Sequence, residues 1–122
     1  MHQGSCLCGA VKLELTADPS LVTHCHCSMC RKAHGAAFAT YLNVERVHVR
    51  FVAGAENLTS YNSSGTILRK FCRTCGSNVE WSGHPGYPEW MAIPLGLFDT
   101  PFVPATITNV HAESRVPWAT LS

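Results

Sequence analysis

The seven cysteines of the chain fall into three short groups, and the spacing within each group is typical of metal ligands. The chain start MHQGSCLCGAVK lacks the pattern of a signal peptide, so we expect a cytoplasmic protein, in which thiols bind metals more often than they form disulfides. An odd number of cysteines would also leave one thiol unpaired in any set of disulfides. The groups are a CxC pair, a CxCxxC triplet and a CxxC pair: Cys6 and Cys8; Cys25, Cys27 and Cys30; Cys72 and Cys75.

The two cysteine pairs together supply four thiols, which is the complete donor set of a structural zinc site. A glycine follows each pair, Gly9 in one and Gly76 in the other, and lets the chain turn tightly with its amides directed at the sulfurs. Metal-free pairs of core cysteines and an iron–sulfur cluster are alternatives. We favour zinc, because the spacing of two such pairs is specific for a metal site and paired turns suit a single ion better than a cluster. The site would also cross-link a 122-residue chain whose core is small.

The CxCxxC triplet supplies only three thiols, one fewer than tetrahedral zinc requires. Catalytic zinc keeps such a position for substrate, so the triplet predicts a second, catalytic zinc. The alternative is a noncatalytic two-zinc module, in which a nearby histidine closes the second site. The candidates for that fourth ligand are His24, His26 and His34.

Three thiolates and one zinc ion carry a net charge of −1, which acidifies a bound water less than neutral ligands would and favours a soft sulfur ligand. The triplet therefore indicates thiol chemistry more than hydrolysis. Arg31 and Lys32 follow the third cysteine and could offset this negative charge or bind a substrate carboxylate. Solvated surface charges are an equally good interpretation of these two residues.

Period-two patterns of apolar residues predict a mainly β fold of short strands. A single helix of one or two turns is predicted over residues 28–34, ending at Gly35. Because so short a helix is unstable alone, we expect Cys30 to anchor it. The predicted strands cover residues 11–15, 38–42, 47–51, 58–61, 66–71, 78–81, 90–93 and 106–110.

Composition indicates one compact domain over residues 1–122, with 46% hydrophobic and 14% charged residues. A formal net charge of +1 without long runs of like charge argues against a nucleic-acid partner, and no apolar run is long enough to span a membrane. We expect the large aromatic residues to lie in the core and three glutamates to be surface charges. These residues are Trp81, Trp90, Phe98 and Trp118, and Glu80, Glu89 and Glu113.

Four segments resemble the glutathione-dependent formaldehyde-activating enzyme family. They are GSCLCGAVKLEL at 4–15, CHCSMCRKAHGAAF at 25–38, FCRTCGSNV at 71–79 and SRVPW at 114–118, and they are spread over nearly the whole chain.

The resemblance implies a β-tent fold of small antiparallel sheets around zinc sites. It implies a structural zinc on the four paired cysteines and a catalytic zinc on Cys25, Cys27 and Cys30. It also implies a carbon–sulfur lyase activity that joins glutathione to formaldehyde to give S-(hydroxymethyl)glutathione.

Overall fold

The computed structural model describes residues 1–119, in which ten strands and one α-helix are connected by short loops. None of the helices in this range is long and apolar enough to cross a membrane. Single 3-10 turns cover Arg46–His48, Ala55–Asn57, Leu95–Leu97 and Ala112–Ser114. The helix is α1 (Ser28–His34), and the strands are β1 (His2–Ser5), β2 (Lys12–Leu15), β3 (Leu21–Cys25), β4 (Ala39–Glu45), β5 (Val49–Ala53), β6 (Leu58–Ser64), β7 (Ile67–Cys72), β8 (Asn78–Ser82), β9 (Trp90–Pro94) and β10 (Ile107–Val110).

The strands form two sheets, one of three strands in the order β1-β2-β5 and one of seven in the order β10-β3-β4-β9-β8-β7-β6. The prediction of a mainly β chain with small antiparallel sheets is confirmed. Two strands, β1 and β3, were not predicted from the sequence. The expected antiparallel pairing also fails at one place, because β10 lies parallel to β3, with Ile107 opposite Val22. A long connection separates these two strands in sequence, so no tight hairpin forces them to be antiparallel.

The main core lies between the two sheets and contains apolar residues of both. Leu13 and Leu15 on β2 are fully buried there, as their alternation with polar residues predicts. The predicted alternation over 47–51 begins too early, because Val47 lies in a 3-10 turn and is 79% exposed. The strand itself starts at Val49, and Phe51 is the next of its residues to pack against the core.

The expectation that the large aromatic residues lie in the core is wrong for Trp118. Trp81, Trp90 and Phe98 are half-buried, and Phe98 packs against the main core. Trp118 is 72% exposed, so it is not a core residue. It follows the last 3-10 turn, beyond the strands that could cover it.

Glu80 is only 3% exposed, so the expectation of a surface charge is wrong for it. Its carboxylate accepts hydrogen bonds from Arg46 Nη2 at 2.8 Å and Ser82 Oγ at 2.6 Å, and Lys70 Nζ lies 3.3 Å away. Burial raises the pKa of Glu80, but these hydrogen bonds and the two positive charges outweigh burial and leave the pKa below its usual value. The charged carboxylate therefore connects β7 and β8 with the turn that follows β4.

We expect Glu80→Gln to lower the free energy of unfolding by about 1–3 kcal/mol at pH 7, because Arg46 and Lys70 lose their counter-ion. The pKa of Glu80 is lower in the folded state than in the unfolded state. Its stabilising effect is therefore complete above the unfolded pKa and disappears as the pH falls through the folded pKa. Urea unfolding should show the gap between the two proteins shrinking below about pH 4.

The matched control is Glu14→Gln, whose partner Arg50 has a side chain that is 69% exposed. This surface pair should contribute less than about 1 kcal/mol. Equal losses for the two variants, or a Glu80→Gln deficit that is the same at every pH, would contradict the assignment.

Candidate metal centres

The sulfur atoms of the two cysteine pairs converge into one four-thiol cluster, in which all four lie within 4.8 Å of one another. The Sγ atoms of Cys6 and Cys8 are 3.7 Å apart, and those of Cys8 and Cys72 are 3.8 Å apart. Cys6 directly follows β1 of the small sheet, and Cys72 ends β7 of the large sheet. The four-thiol cluster therefore connects the two sheets.

The two turns that carry this cluster have closely similar backbones. In each turn, the amide of the first cysteine donates to the carbonyl five residues later, at 3.0 Å in both. Gly9 and Gly76 both have a φ of +81°, in the left-handed region where any other residue is strained by about 1 kcal/mol. The donor and acceptor residues are Cys6 and Val11 in one turn and Cys72 and Ser77 in the other.

Hydrogen-bond donors point at two of these sulfurs. The backbone amide of Val11 donates to Cys6 Sγ at 3.3 Å, and the Asn57 side-chain amide donates to Cys72 Sγ at 3.2 Å. Both acceptors are buried sulfur atoms. Such donors stabilise thiolates, which are the form in which cysteine binds metals.

Without a cation, the thiols of the four-thiol cluster differ widely in pKa. Hydrogen bonds from the Ser77 side chain and backbone lower the pKa of Cys75 to about 5. For Cys8, a hydrogen bond with the Ala10 backbone lowers the pKa, but desolvation and neighbouring thiols outweigh it and raise the pKa to about 11. Four adjacent thiolates need a divalent cation to coexist, so this donor set fits a metal ion.

The CxCxxC triplet forms a separate three-thiol cluster, whose sulfurs also lie within 4.8 Å of one another. Cys25 is the last residue of β3, and Cys30 lies inside α1. Cys27 caps the start of α1, because its Sγ accepts a hydrogen bond from the Cys30 amide at 3.3 Å. Cys25 and Cys30 are buried, whereas Cys27 is only half-buried and is the most accessible of the three.

Small and aromatic side chains surround the three-thiol cluster on the face of the large sheet that points away from the main core. Ala39, Tyr41 and Ala92 are buried against it, and Trp81 and Val110 pack at its edge. The residues of β4 that alternate with these, such as Leu42, point to the opposite face of the sheet and pack in the main core. The two thiol clusters thus belong to different packing environments.

Within residues 1–119, the three-thiol cluster contains no histidine. Each of the three neighbouring histidines has one ring nitrogen 2.8 Å from a side-chain oxygen that is not part of the cluster. The pairs are His24 with Thr40, His26 with Asn109 and His34 with Tyr41.

Arg31 and Lys32 both lie on α1, next to the third cysteine. Arg31 is half-buried, and its Nε donates to the backbone carbonyl of His26 at 3.3 Å, which supports the loop between two of the cysteines. Lys32 is exposed.

Arg69 is a neighbour of the three-thiol cluster that the cysteine spacing did not reveal. It is 9% exposed, and its Nη2 donates to Cys30 Sγ at 3.8 Å while Nη1 donates to the Tyr41 hydroxyl at 3.3 Å. Burial raises the pKa of Tyr41 and lowers the pKa of His34, so both rings are neutral at pH 7. The sequence offers one signal for Arg69. Alternate residues of a strand lie on the same face, so Arg69 shares a face of β7 with Ile67 and Phe71, whereas Lys70 lies on the other face.

The thiols of the three-thiol cluster also differ in pKa. The hydrogen bond between Cys25 and Cys30 lowers the pKa of Cys25 and raises the pKa of Cys30. Three thiolates at this separation therefore require a cation, as in the four-thiol cluster. An all-sulfur donor set fits a soft or borderline metal ion and is unsuited to magnesium or calcium.

Known proteins are similar to this chain in sequence. The family model described as glutathione-dependent formaldehyde-activating enzyme matches residues 1–114. A Halomonas elongata protein provisionally named as such an enzyme is 35% identical over 125 residues, which cover 95% of this chain and 78% of that protein. A Schizosaccharomyces pombe protein described as an uncharacterized lyase is 30% identical over 78 residues, which are 64% of this chain and 55% of that protein.

A solved structure shares the fold as well. The crystal structure of a Rhodobacter sphaeroides protein superposes with a TM-score of 0.69 at 30% identity, covering 88% of this chain and 99% of that one. A Podospora anserina relative with the same provisional name as the Halomonas protein is 26% identical, and the match covers 90% of this chain but 62% of that protein. The family match over residues 1–114 shows that the chain belongs to the glutathione-dependent formaldehyde-activating enzyme family.

Proposed function

We propose that this chain is a zinc-dependent enzyme of carbon–sulfur chemistry that joins glutathione to formaldehyde and yields S-(hydroxymethyl)glutathione. The observation that carries this proposal is a three-thiol cluster lying apart from a complete four-thiol cluster. Three thiols leave one tetrahedral position for a further ligand, as catalytic zinc sites do. Family membership and the names of the relatives support the choice of substrates.

Each cluster would hold one zinc ion. The four-thiol cluster has the composition of a closed structural site, and the three-thiol cluster has that of a catalytic one. Sulfur donors alone select a borderline ion such as zinc over the hard cations. The structural ligands would be Cys6, Cys8, Cys72 and Cys75, and the catalytic ligands Cys25, Cys27 and Cys30.

In the proposed reaction the thiol sulfur bonds to the carbonyl carbon, and the carbonyl oxygen becomes a hydroxyl group. The proton that the thiol loses balances the proton that the oxygen gains, so no oxidant or reductant is needed. Zinc would supply a cation that favours the thiolate form of a thiol near neutral pH.

The chain's own residues would bind and orient the two substrates, which is the main source of rate in a two-reactant addition. The half-buried Cys27 lies on the accessible side of the cluster, where a substrate would approach. Arg31 and Lys32 on α1 would attract the carboxylates of the thiol substrate.

The two clusters should respond differently to loss of a thiol. Cys27→Ser should bind about one zinc ion fewer than the unsubstituted chain yet keep its far-UV circular dichroism, because the four-thiol cluster still connects the sheets. Cys72→Ser should lose the cooperative unfolding transition, since it removes a fully buried ligand of the connecting cluster. Elemental analysis and urea unfolding measure the two effects.

Ser28→Ala is the matched control, because Ser28 is the exposed neighbour of Cys27 and belongs to neither cluster. It should retain all the zinc of the unsubstituted chain. If Cys27→Ser unfolds as Cys72→Ser does, the second site is structural, and the noncatalytic two-zinc module replaces the enzyme as the better assignment.

Exchange NMR of formaldehyde and glutathione tests the activity itself. The zinc-loaded protein should accelerate formation of the hydroxymethyl adduct by roughly tenfold or more over buffer, equivalent to about 1.4 kcal/mol of barrier. Cys27→Ser should return the exchange rate to the buffer value. Equal rates with the unsubstituted protein and with Cys27→Ser would refute formaldehyde activation.

A further inference from the structure

Arg69 is a buried cation whose counter-ion is not a carboxylate. Within residues 1–119 no aspartate or glutamate lies within 4.0 Å of its guanidinium, in contrast to Arg46 and Arg50, which each pair with a glutamate. Burying an unpaired charge is costly, so a buried arginine requires an anion nearby. The Sγ of Cys30, 3.8 Å from Nη2, is the one group among its hydrogen-bond partners that becomes an anion at neutral pH when a metal is bound.

We propose that Arg69 is a positioning residue of the three-thiol cluster, whose guanidinium compensates the charge of the thiolate ligands and so enables the cluster to retain zinc and accept a fourth, anionic thiolate. This inference rests on the proposed zinc at the cluster and goes beyond it by naming what allows an anionic substrate to bind there. The residue would act through Cys30 and not by touching the aldehyde.

Charge arithmetic shows why a fixed cation matters here. Three thiolates and a divalent ion sum to −1, and a fourth thiolate brings the sum to −2 in a partly buried site. With Arg69 included, the sums are 0 before the substrate binds and −1 afterwards. A partly desolvated site penalises each excess charge more than water does, so the guanidinium favours binding of the fourth thiolate.

Arg69 suits this role better than the basic residues that the sequence had singled out. Lys32 is exposed and Arg31 is half-buried, so water and salt screen their charges. Arg69 lies in the large sheet beneath the cluster and directs its guanidinium at a ligand sulfur.

Two further side chains hold the guanidinium in place. The Tyr41 hydroxyl on β4 accepts a hydrogen bond from Nη1 and forms a second hydrogen bond with Nε2 of His34, 2.8 Å away. His34 is the last residue of α1, the helix that carries Cys30. Arg69 therefore connects β7, β4 and α1 through bonds that the single ammonium of a lysine could not make with the same geometry.

The test compares Arg69→Met, which removes the charge, with Arg69→Lys, which keeps it, in the zinc-loaded full chain. Zinc retention against a chelator should weaken by about 10–100-fold at the three-thiol cluster in Arg69→Met, as for other partners of metal ligands. Arg69→Lys should restore part of the loss. Zinc at the four-thiol cluster should be unchanged in both, which also shows that the variants fold.

The second measurement uses cobalt in place of zinc and 2-mercaptoethanol as the probe thiol. Titrating the thiol into the cobalt protein and following the sulfur-to-cobalt absorption band gives the affinity for a fourth thiolate. Arg69→Met should bind the probe about tenfold more weakly, with Arg69→Lys between it and the unsubstituted chain. Arg50→Met is the control, because Arg50 pairs with Glu14 on the small sheet and should change neither quantity.

The proposal would be overturned if Arg69→Met kept both its zinc retention and its thiol affinity within about twofold of the unsubstituted chain. Loss of a partner of a metal ligand usually has a much larger effect. If Arg69→Met does not fold, Tyr41→Phe decides the matter by removing the hydroxyl that holds Nη1. It should weaken both quantities several-fold, and no change in either would count against Arg69.

Neither readout uses formaldehyde, so the test of Arg69 is separate from the test of the proposed activity. A protein that shows these effects but forms no adduct would refute the proposed activity and leave the role of Arg69 standing.

Discussion

The convergence of four sulfur atoms from opposite ends of the fold is the constraint on which the rest of this structure depends. The strands are only four to seven residues long. Two of the four cysteines, Cys6 and Cys72, are themselves part of the main core between the sheets. Where a metal bridges such thiols, its binding free energy becomes folding free energy. A metal ion there would give the fold stability that a small core would not provide.

The three-thiol cluster does not bridge the two sheets, because its sulfurs come from the end of β3 and from α1. The cluster lies on the opposite face of the large sheet, with its own small group of packed residues. Its basic partner Arg69 comes from that face and is separated from the main core by the sheet itself. With the four-thiol cluster as the proposed structural site, a cluster arranged in this way would be able to trade metal stability for access to ligands.

The sequence was sufficient to predict the parts of the molecule that depend on local spacing. The cysteine intervals identified both clusters, and the alternation around Leu13 and the glycine at position 35 predicted a core strand and the end of the helix. The period-two patterns predicted the mainly β class, and the family resemblance, confirmed by the match over residues 1–114, added the expectation of a β tent.

The sequence did not predict the strands β1 and β3, nor several contacts that depend on how the strands pair. Buried Glu80 lies opposite Lys70 in the neighbouring strand β7, and its second cation, Arg46, comes from the turn after β4. Arg69 reaches Cys30 only because the large sheet places β7 beneath α1. Trp118 has the composition of a core residue but lies beyond the last strand. Composition and periodicity contain no information on which strands become neighbours, so these contacts required the structure.

The parallel pairing of β10 with β3 sets an order in which the two clusters can be completed during synthesis. All four sulfurs of the connecting cluster have been made once Cys75 is in the chain. Strand β3, which ends at Cys25, has its outer neighbour only after residues 107–110 have left the ribosome, and Val110 then packs at the edge of the three-thiol cluster. Since chains grow at about 5–20 residues per second, β10 joins the edge of the three-thiol cluster seconds after the last sulfur of the four-thiol cluster has been made, although the three sulfurs of the triplet are made first. The nascent chain thus holds all seven of its cysteine sulfurs before it holds the strand that covers the edge of the three-thiol cluster.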